Sequence, residues 1–306
     1  MNSVNMNKDS KFIDNMSSIY GRFFTVKRVI AKKKTKYQEL ELIDTPAYGK
    51  MMILDGKPQI AEYGDYFYHE PLAQLPMFCA KDPKRVLIIG GGDGGSPREV
   101  LKHNVKQVDM VELDEDVIKF AKEYLRFVCK DSYEDKRLNL HIGDGRAFVE
   151  AQLKKGEKYD VIISDLTDPF GPSKMLYTKE FYTMVKKLLN KGGVFSTHCE
   201  FPLMFKDAFP TVTTTLNSVF PHAVFSYVFV PAYGDLMVFG SFSAEKIDEV
   251  AVRSNVLKKQ KSLDLKMLGT MAMGFPRFLE PLMKYGKVST DADPYEIDES
   301  QTGVQY

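Results

Sequence analysis

Tryptophan is missing from this 306-residue chain, and cysteine (3) and histidine (5) are scarce. Cys79, Cys129 and Cys199 are far apart and odd in number, which fits neither a disulfide framework nor a CxxC metal site. They read as buried or inert thiols in a reducing compartment. His69, His103, His141, His198 and His222 show no HxxxH or HExxH spacing, so no metal site is expected. No apolar run reaches bilayer length, and the polar start from Met1 to Asn15 lacks the apolar segment of a secretory signal. An excess of either charge is missing too: 42 Lys and Arg stand against 41 Asp and Glu, a net charge of +1. Binding to nucleic acid or an anionic membrane mainly by charge calls for a basic excess. The sequence therefore reads as a soluble, cytoplasmic protein with neither partner.

What is present is an ordinary globular composition, 44% hydrophobic and 27% charged, enough for about two domains or one large one. Up to about residue 75 the chain reads as a small antiparallel β domain. Tyr37 to Ile43, Lys50 to Leu54 and Lys57 to Tyr63 are extended, and Asp55-Gly56 between apolar runs signals a hairpin. Asp65 to Met77 takes on helical spacing despite Pro71.

From there a second domain, 76–306, alternates strands with helices. Strands are expected at Arg85 to Ile89, Val108 to Leu113, Leu138 to Ile142, Tyr159 to Leu166 and Gly193 to Thr197, with helices between them. A mostly helical stretch, Phe205 to Phe220, leads to two apolar runs, Ala223 to Val230 and Leu236 to Phe242, separated by a short turn. This is a seven-stranded, Rossmann-like α/β sheet of the class I methyltransferase type, whose last strand can run antiparallel. The polar, acidic end from Asp291 to Tyr306 is expected to fray.

Gly90, Gly92 and Gly95 form G-x-G-x-x-G between a strand and a helix, and Glu112 ends the next strand twenty residues after Gly92. Glycines let backbone approach a nucleotide closely, and a strand-tip carboxylate accepts from both ribose hydroxyls. The loop alone does not choose between NAD and a sulfonium ligand. Asp93 within it would repel a pyrophosphate and attract a cation, which suits a sulfonium better. Asp144, before Gly145 at the third strand end, can accept from an adenine amino group, although Asp-Gly there is also a common plain turn.

The fourth strand ends in Asp165-Leu166-Thr167-Asp168-Pro169, followed by Phe170-Gly171-Pro172, a loop able to cover a site. Asp before Pro also starts ordinary turns. Strand tips of an open α/β sheet face the ligand crevice, so two carboxylates meet the bound ligand here. Acids around a sulfonium suit a second cationic substrate. An aliphatic amine has a pKa of about 10, as lysine does, and must lose a proton before it attacks.

With Tyr37-Gln38, Asp55-Gly56, Asp65 to Glu70 (DYFYHE), Gly90 to Gly95 (GGGDGG), Arg98-Glu99, Glu112-Leu113-Asp114, Gly143-Asp144-Gly145 and Asp165 to Pro169, the chain resembles the polyamine aminopropyltransferases, the spermidine synthase family. The resemblance implies transfer of the aminopropyl group of decarboxylated S-adenosylmethionine, a co-substrate rather than a resident cofactor, to an amine, usually putrescine, with methylthioadenosine released. It implies that Asp93 binds the aminopropyl ammonium, Glu112 the ribose and Asp144 the adenine. Gln38 and His69 would contact the nucleoside or its aminopropyl arm, beside Gly90, Gly92 and Gly145. Tyr68 and Asp165 would position and deprotonate the amine, Asp168 would line its channel, and Tyr233 would lie near the reacting nitrogen. A homodimer or homotetramer is also implied.

Leu166 is similar to the thermospermine synthase branch, whereas Asp93 is not. Pro231-Ala232-Tyr233-Gly234-Asp235 and His198-Cys199-Glu200 depart from the family's usual residues, and by position Glu200 could hold a distal ammonium. The acceptor thus stays open among putrescine, spermidine (giving spermine or thermospermine) and agmatine. A non-catalytic polyamine or nucleoside binding protein and an NAD dehydrogenase are the other readings.

Overall fold

Two kinds of sheet follow one another in the computed structural model, which describes residues 10–16 and 21–298. A two-stranded ribbon, β1 (Lys11–Asp14) with β2 (Arg22–Thr25), precedes an antiparallel meander of β3 (Arg28–Lys34), β4 (Glu39–Thr45), β5 (Gly49–Leu54) and β6 (Lys57–Ala61). Asp55 (φ 45°) and Gly56 (φ 77°) form the β5–β6 turn as the sequence foretells, since a tight hairpin of this twist needs two left-handed positions. The meander packs Leu40, Leu42, Met52 and Ile60 against Val117, Phe120 and Ala121 of the helix Glu115–Tyr124, which fixes the small sheet against that helix.

The large sheet contains β7 (Arg85–Gly90), β8 (Gln107–Glu112), β9 (Leu138–Ile142), β10 (Tyr159–Asp165), β11 (Leu189–His198), β12 (His222–Val230), β13 (Asp235–Ser243) and β14 (Ala272–Met273). Their order is β14-β12-β13-β11-β10-β7-β8-β9. Strands β7 to β11 are parallel, and β13 runs antiparallel to β11. The two-residue β14 adds an eighth strand to the seven expected. Val86 to Ile89 and Val161 to Ile163 are essentially unexposed because helices cover both faces. β7 has β8 on one side and β10 on the other, so the chain reverses its winding there and opens a crevice at the strand tips.

The segment after the small sheet is helical in three pieces, Tyr66–His69, a wider π turn at Glu70–Gln74, and Leu75–Cys79. Pro71 and Pro76 lack the N–H that a regular turn would use. The expected Phe205 to Phe220 helix is shorter, Ala208–Asn217.

The C-terminal region corrects the sequence reading. A helix at Glu249–Lys259 and a 3₁₀ stretch at Arg277–Tyr285 follow the last long strand. Residues 291–298 do not fray; they lie across the loop after β10. Glu296 accepts from the Gly171 N–H (3.0 Å) and pairs with Lys174 (2.6 Å), and the Ile297 N–H donates to the Pro169 carbonyl (3.1 Å). Asp291 pairs with Arg146 and accepts from the Thr178 hydroxyl (2.7 Å). The rest of the expected frayed end, 299–306, lies outside the described residues. Among the described residues no helix is long and apolar enough to cross a membrane. The three cysteines are free thiols.

Candidate active site

The crevice is built where β7 and β10 end side by side, with Asp165 in register with Gly90. Gly90 has φ 82°, and a Cβ on it would collide with the Asp165 carbonyl, so only glycine permits this approach. The Gly91 N–H donates to that carbonyl (2.9 Å). Asp165 then accepts at Oδ1 from the Tyr68 hydroxyl (2.9 Å), while its buried Oδ2 has no hydrogen-bond partner. Burial, then the Asp93 charge, raise the Asp165 carboxyl above its ordinary range against the opposing effects of His69, Ser96 and Tyr68. Burial and Asp165 push the Tyr68 phenol well up, so it keeps its proton and donates. The tyrosine ring is held edge-on by Tyr233 (6.0 Å) and Phe239 (5.6 Å).

His69, one residue on, is fully buried. Its Nδ1 lies 3.1 Å from the Asp65 carbonyl and its Nε2 3.2 Å from Asp93 Oδ2. Burial opposes a charge on the ring, but Asp93 and Asp65 overcome it and raise His69 to about 10. Gly95 makes room for the imidazole, because a Cβ there would overlap the ring. Asp93 is fixed by the Gly95 N–H (2.8 Å). Arg98 bridges Asp65 (2.6 Å), Glu99 (2.9 Å) and the Val128 carbonyl (2.7 Å), locking the Tyr68–His69 turn to the helix after the glycine loop.

Next to this lies Glu112 at the tip of β8, whose Oε1 accepts from the Asp114 N–H (2.9 Å). Burial raises Glu112 to about 7. Gly92 keeps the space open, since a Cβ on it would stand 2.9 Å from Glu112 Oε2. Gln38 reaches over from the small sheet and donates to Asp114 Oδ2 (3.2 Å). Asp144, exposed at the third strand tip, caps the helix Gly145–Lys155 by accepting from the Ala147 N–H (2.7 Å). The capping role is the plain turn reading of Asp-Gly. Gly145 packs against β7, where a Cβ would lie 2.7 Å from Ile89.

At the far end, Glu200 and His198 follow one another out of β11, fully buried. His198 Nδ1 stands 3.2 Å from Glu200 Oε1, and its Nε2 faces the Leu166 carbonyl (3.0 Å) and the Tyr177 hydroxyl (2.9 Å). Burial works against the charged ring, yet Glu200 and Asp168 raise His198 to about 9. Neither Glu200 oxygen has an aligned hydrogen bond. Two acid–imidazole groups therefore gather here, His69 with Asp93 and Asp165, and His198 with Asp168 and Glu200, each with its polar atoms within 4.8 Å. Histidine spacing in the sequence gives no hint of either. Tyr233 lies beside Tyr68, but its hydroxyl donates to the Gln59 carbonyl (2.5 Å) and so ties the small sheet to the crevice wall. Sequence reasoning missed Ser96, Tyr177 and the Asp65–Arg98 bridge, and gave His198 no role. Its place at a strand tip was the one available signal.

Paired carboxylates beside a glycine loop line the crevice, an arrangement that suits a cationic ligand. Residues 65–253 match the spermine/spermidine synthase domain, and residues 16–62 match the spermidine synthase tetramerisation domain. The polyamine aminopropyltransferase of Nitrosomonas europaea is 35% identical over 279 residues, 89% of this chain and 85% of that protein. That of Saccharolobus solfataricus is 37% identical over 282 residues, 89% of this chain and 93% of the relative. A spermidine synthase solved with the transition-state analogue AdoDATO superposes with a TM-score of 0.81 at 31% identity, covering 91% of this chain and 96% of that one. The spermidine synthase of Thermotoga maritima gives 0.79 at 30%, covering 91% and 95%. The chain belongs to the spermidine synthase family. It is a polyamine aminopropyltransferase.

Proposed function

We propose that the enzyme transfers the aminopropyl group of decarboxylated S-adenosylmethionine to putrescine, giving spermidine and methylthioadenosine, and that it does so as a homodimer or homotetramer. The observation that carries the reading is the Tyr68–Asp165 pair, with an unpartnered carboxylate oxygen, in a crevice that holds two acid–imidazole groups.

The roles follow from where the charges stand. Glu112 takes the ribose hydroxyls, Asp144 and Gly145 lie at the adenine end, and Gln38 closes over the nucleoside from the small sheet. Asp93 with His69 takes the aminopropyl ammonium. A co-substrate that kept its carboxylate would set one anion against another at Asp93, so the decarboxylated form is selected. Asp165 Oδ2 accepts a proton from the attacking nitrogen, held by the Tyr68 hydroxyl on Oδ1. The nitrogen lone pair then forms the new C–N bond as the C–S bond breaks, and the electron pair leaves on a neutral thioether. No anion develops, so alignment and removal of the amine proton are the enzyme's main tasks. Asp168 and Glu200 face the second ammonium.

Two carboxylates beyond the catalytic pair, one of them fully buried, suit a diamine with a single distal charge. A panel of putrescine, cadaverine, spermidine and agmatine, with products read by mass spectrometry, tests the choice. Preference for spermidine, with putrescine turned over poorly, would replace this reading with spermine or thermospermine formation.

A further inference from the structure

The Glu200–His198 contact brings a carboxylate oxygen and an imidazole nitrogen to 3.2 Å with no aligned hydrogen bond at either atom. A carbonyl oxygen can only accept, so Nε2, 3.0 Å from the Leu166 carbonyl, carries a proton. The Tyr177 hydroxyl, which donates to the Thr167 carbonyl (3.0 Å), turns its oxygen lone pair toward the same nitrogen. A neutral ring would then present a bare Nδ1 lone pair to Glu200 Oε1 at 3.2 Å, lone pair against carboxylate. An imidazolium instead presents an N–H. The nearest acids favour that state and the nearest phenols are neutral: Glu200 beyond β11, Asp168 after β10, Tyr177 on the covering loop and Tyr68 at 6.4 Å across the crevice.

Glu200 supplies the second observation. It is wholly unexposed, both its oxygens lack an aligned donor, and a residue at φ 71° accepts left-handed strain to place it there. A buried carboxylate so poorly satisfied belongs to a site that another donor completes.

We propose that His198 occupies the distal amine subsite as a stand-in cation: it is an imidazolium paired with Glu200 while the subsite is empty, and it gives its Nδ1 proton to solvent when the second ammonium of a diamine arrives. The inference rests on the diamine reading above. The ammonium then donates to Glu200 and to the freed Nδ1 lone pair, and Nε2–H stays on the Leu166 carbonyl. An ammonium cannot donate to Nδ1 while that nitrogen carries its own proton, and at this depth two cations in contact repel strongly. His69, set between the Asp65 carbonyl and Asp93, has the same arrangement at the other ammonium position.

The test is the charge state of His198, read by ¹⁵N NMR of histidine-labelled enzyme at pH 8, with methylthioadenosine and either 1,4-diaminobutane or n-butylamine. The resonance is assigned by its loss in H198Q; if that variant does not fold, E200Q identifies it by converting the ring to the neutral form. The expected result is an imidazolium in the enzyme with methylthioadenosine alone and with n-butylamine, and a neutral ring with 1,4-diaminobutane. Between pH 7 and 8 the diamine's dissociation constant should fall close to tenfold relative to that of n-butylamine, one proton being released per distal ammonium bound. An imidazolium that persists under saturating diamine, or a neutral ring in the empty subsite, overturns the inference. Methylthioadenosine release from diamine turnover alongside such a result leaves the diamine reading standing; no release with any amine overturns both.

Discussion

Tyr68 and Asp165 meet at 2.9 Å from opposite sides of the crevice, one from the turn that joins the two sheets and the other from the tip of β10. The contact makes the base directional. Tyr68 occupies Oδ1, which under the proposed mechanism leaves Oδ2 as the acceptor for an ammonium proton. Asp165→Asn keeps the shape and removes the base, and its turnover should fall by about 10²- to 10⁴-fold. Tyr68→Phe removes a hydrogen bond to a charged group, about 1.5–3 kcal/mol, so a loss of roughly 10- to 150-fold is expected. Steady-state release of methylthioadenosine measures both.

In the proposed reading Asp93 recognises the arm of the co-substrate, not its nucleoside. Asp93→Asn should therefore weaken decarboxylated S-adenosylmethionine by roughly 10- to 150-fold, the worth of a charge-assisted hydrogen bond. Binding of methylthioadenosine, which has no aminopropyl ammonium, should change little. Calorimetric titration of the two ligands separates these outcomes, and equal weakening of both would assign Asp93 to the nucleoside.

Glu112 sets function against stability. Its carboxyl is raised from 4.5 to about 7 by burial, so the associated stability is fully present below pH 4.5 and is lost as pH rises through 7. Above that, the ionised Glu112 costs the empty enzyme roughly 3 kcal/mol. Glu112→Gln should accordingly raise Tm at pH 8 and leave it nearly unchanged at pH 5, while weakening methylthioadenosine. Thermal melts at the two pH values provide the check, and a Tm gain equal at both would contradict the assigned cause.

The C-terminal segment holds the covering loop from outside. Glu296→Ala removes the acceptor of the Gly171 N–H and the partner of Lys174. The exposed ion pair contributes about 0–1 kcal/mol, so Tm should hardly move. Hydrogen exchange at Gly171 and its neighbours should quicken by several-fold or more as the loop opens. Deleting residues 289–306 should have the same effect more strongly and raise the KM for the amine.

The parallel strands were legible in the sequence because burial on both faces writes them as unbroken apolar runs such as Arg85 to Ile89. Ligands bind at the strand tips of such a sheet, which is why Asp93, Glu112, Asp144, Asp165 and Asp168 stood out together as candidates. The pairings were not legible. Arg98 reaches Asp65 across 33 residues and Arg146 reaches Asp291 across 145, distances over which local pattern carries no signal. The same holds for the C-terminal strap. Its polar residues read as solvated charge until the loop they hold is in view, and the 3₁₀ stretch before it carries Pro281 inside, a residue that reads locally as a helix breaker.

The central claim is that Asp165 takes the proton from the attacking amine. A rapid-quench single turnover of decarboxylated S-adenosylmethionine with putrescine, comparing the native enzyme with Asp165→Asn at equal saturation by co-substrate, tests it most directly. The account predicts spermidine and methylthioadenosine in equal amounts from the native enzyme, and a chemical step at least about 10²-fold slower in the variant with co-substrate binding retained. A variant whose chemical step runs at the native rate would contradict it.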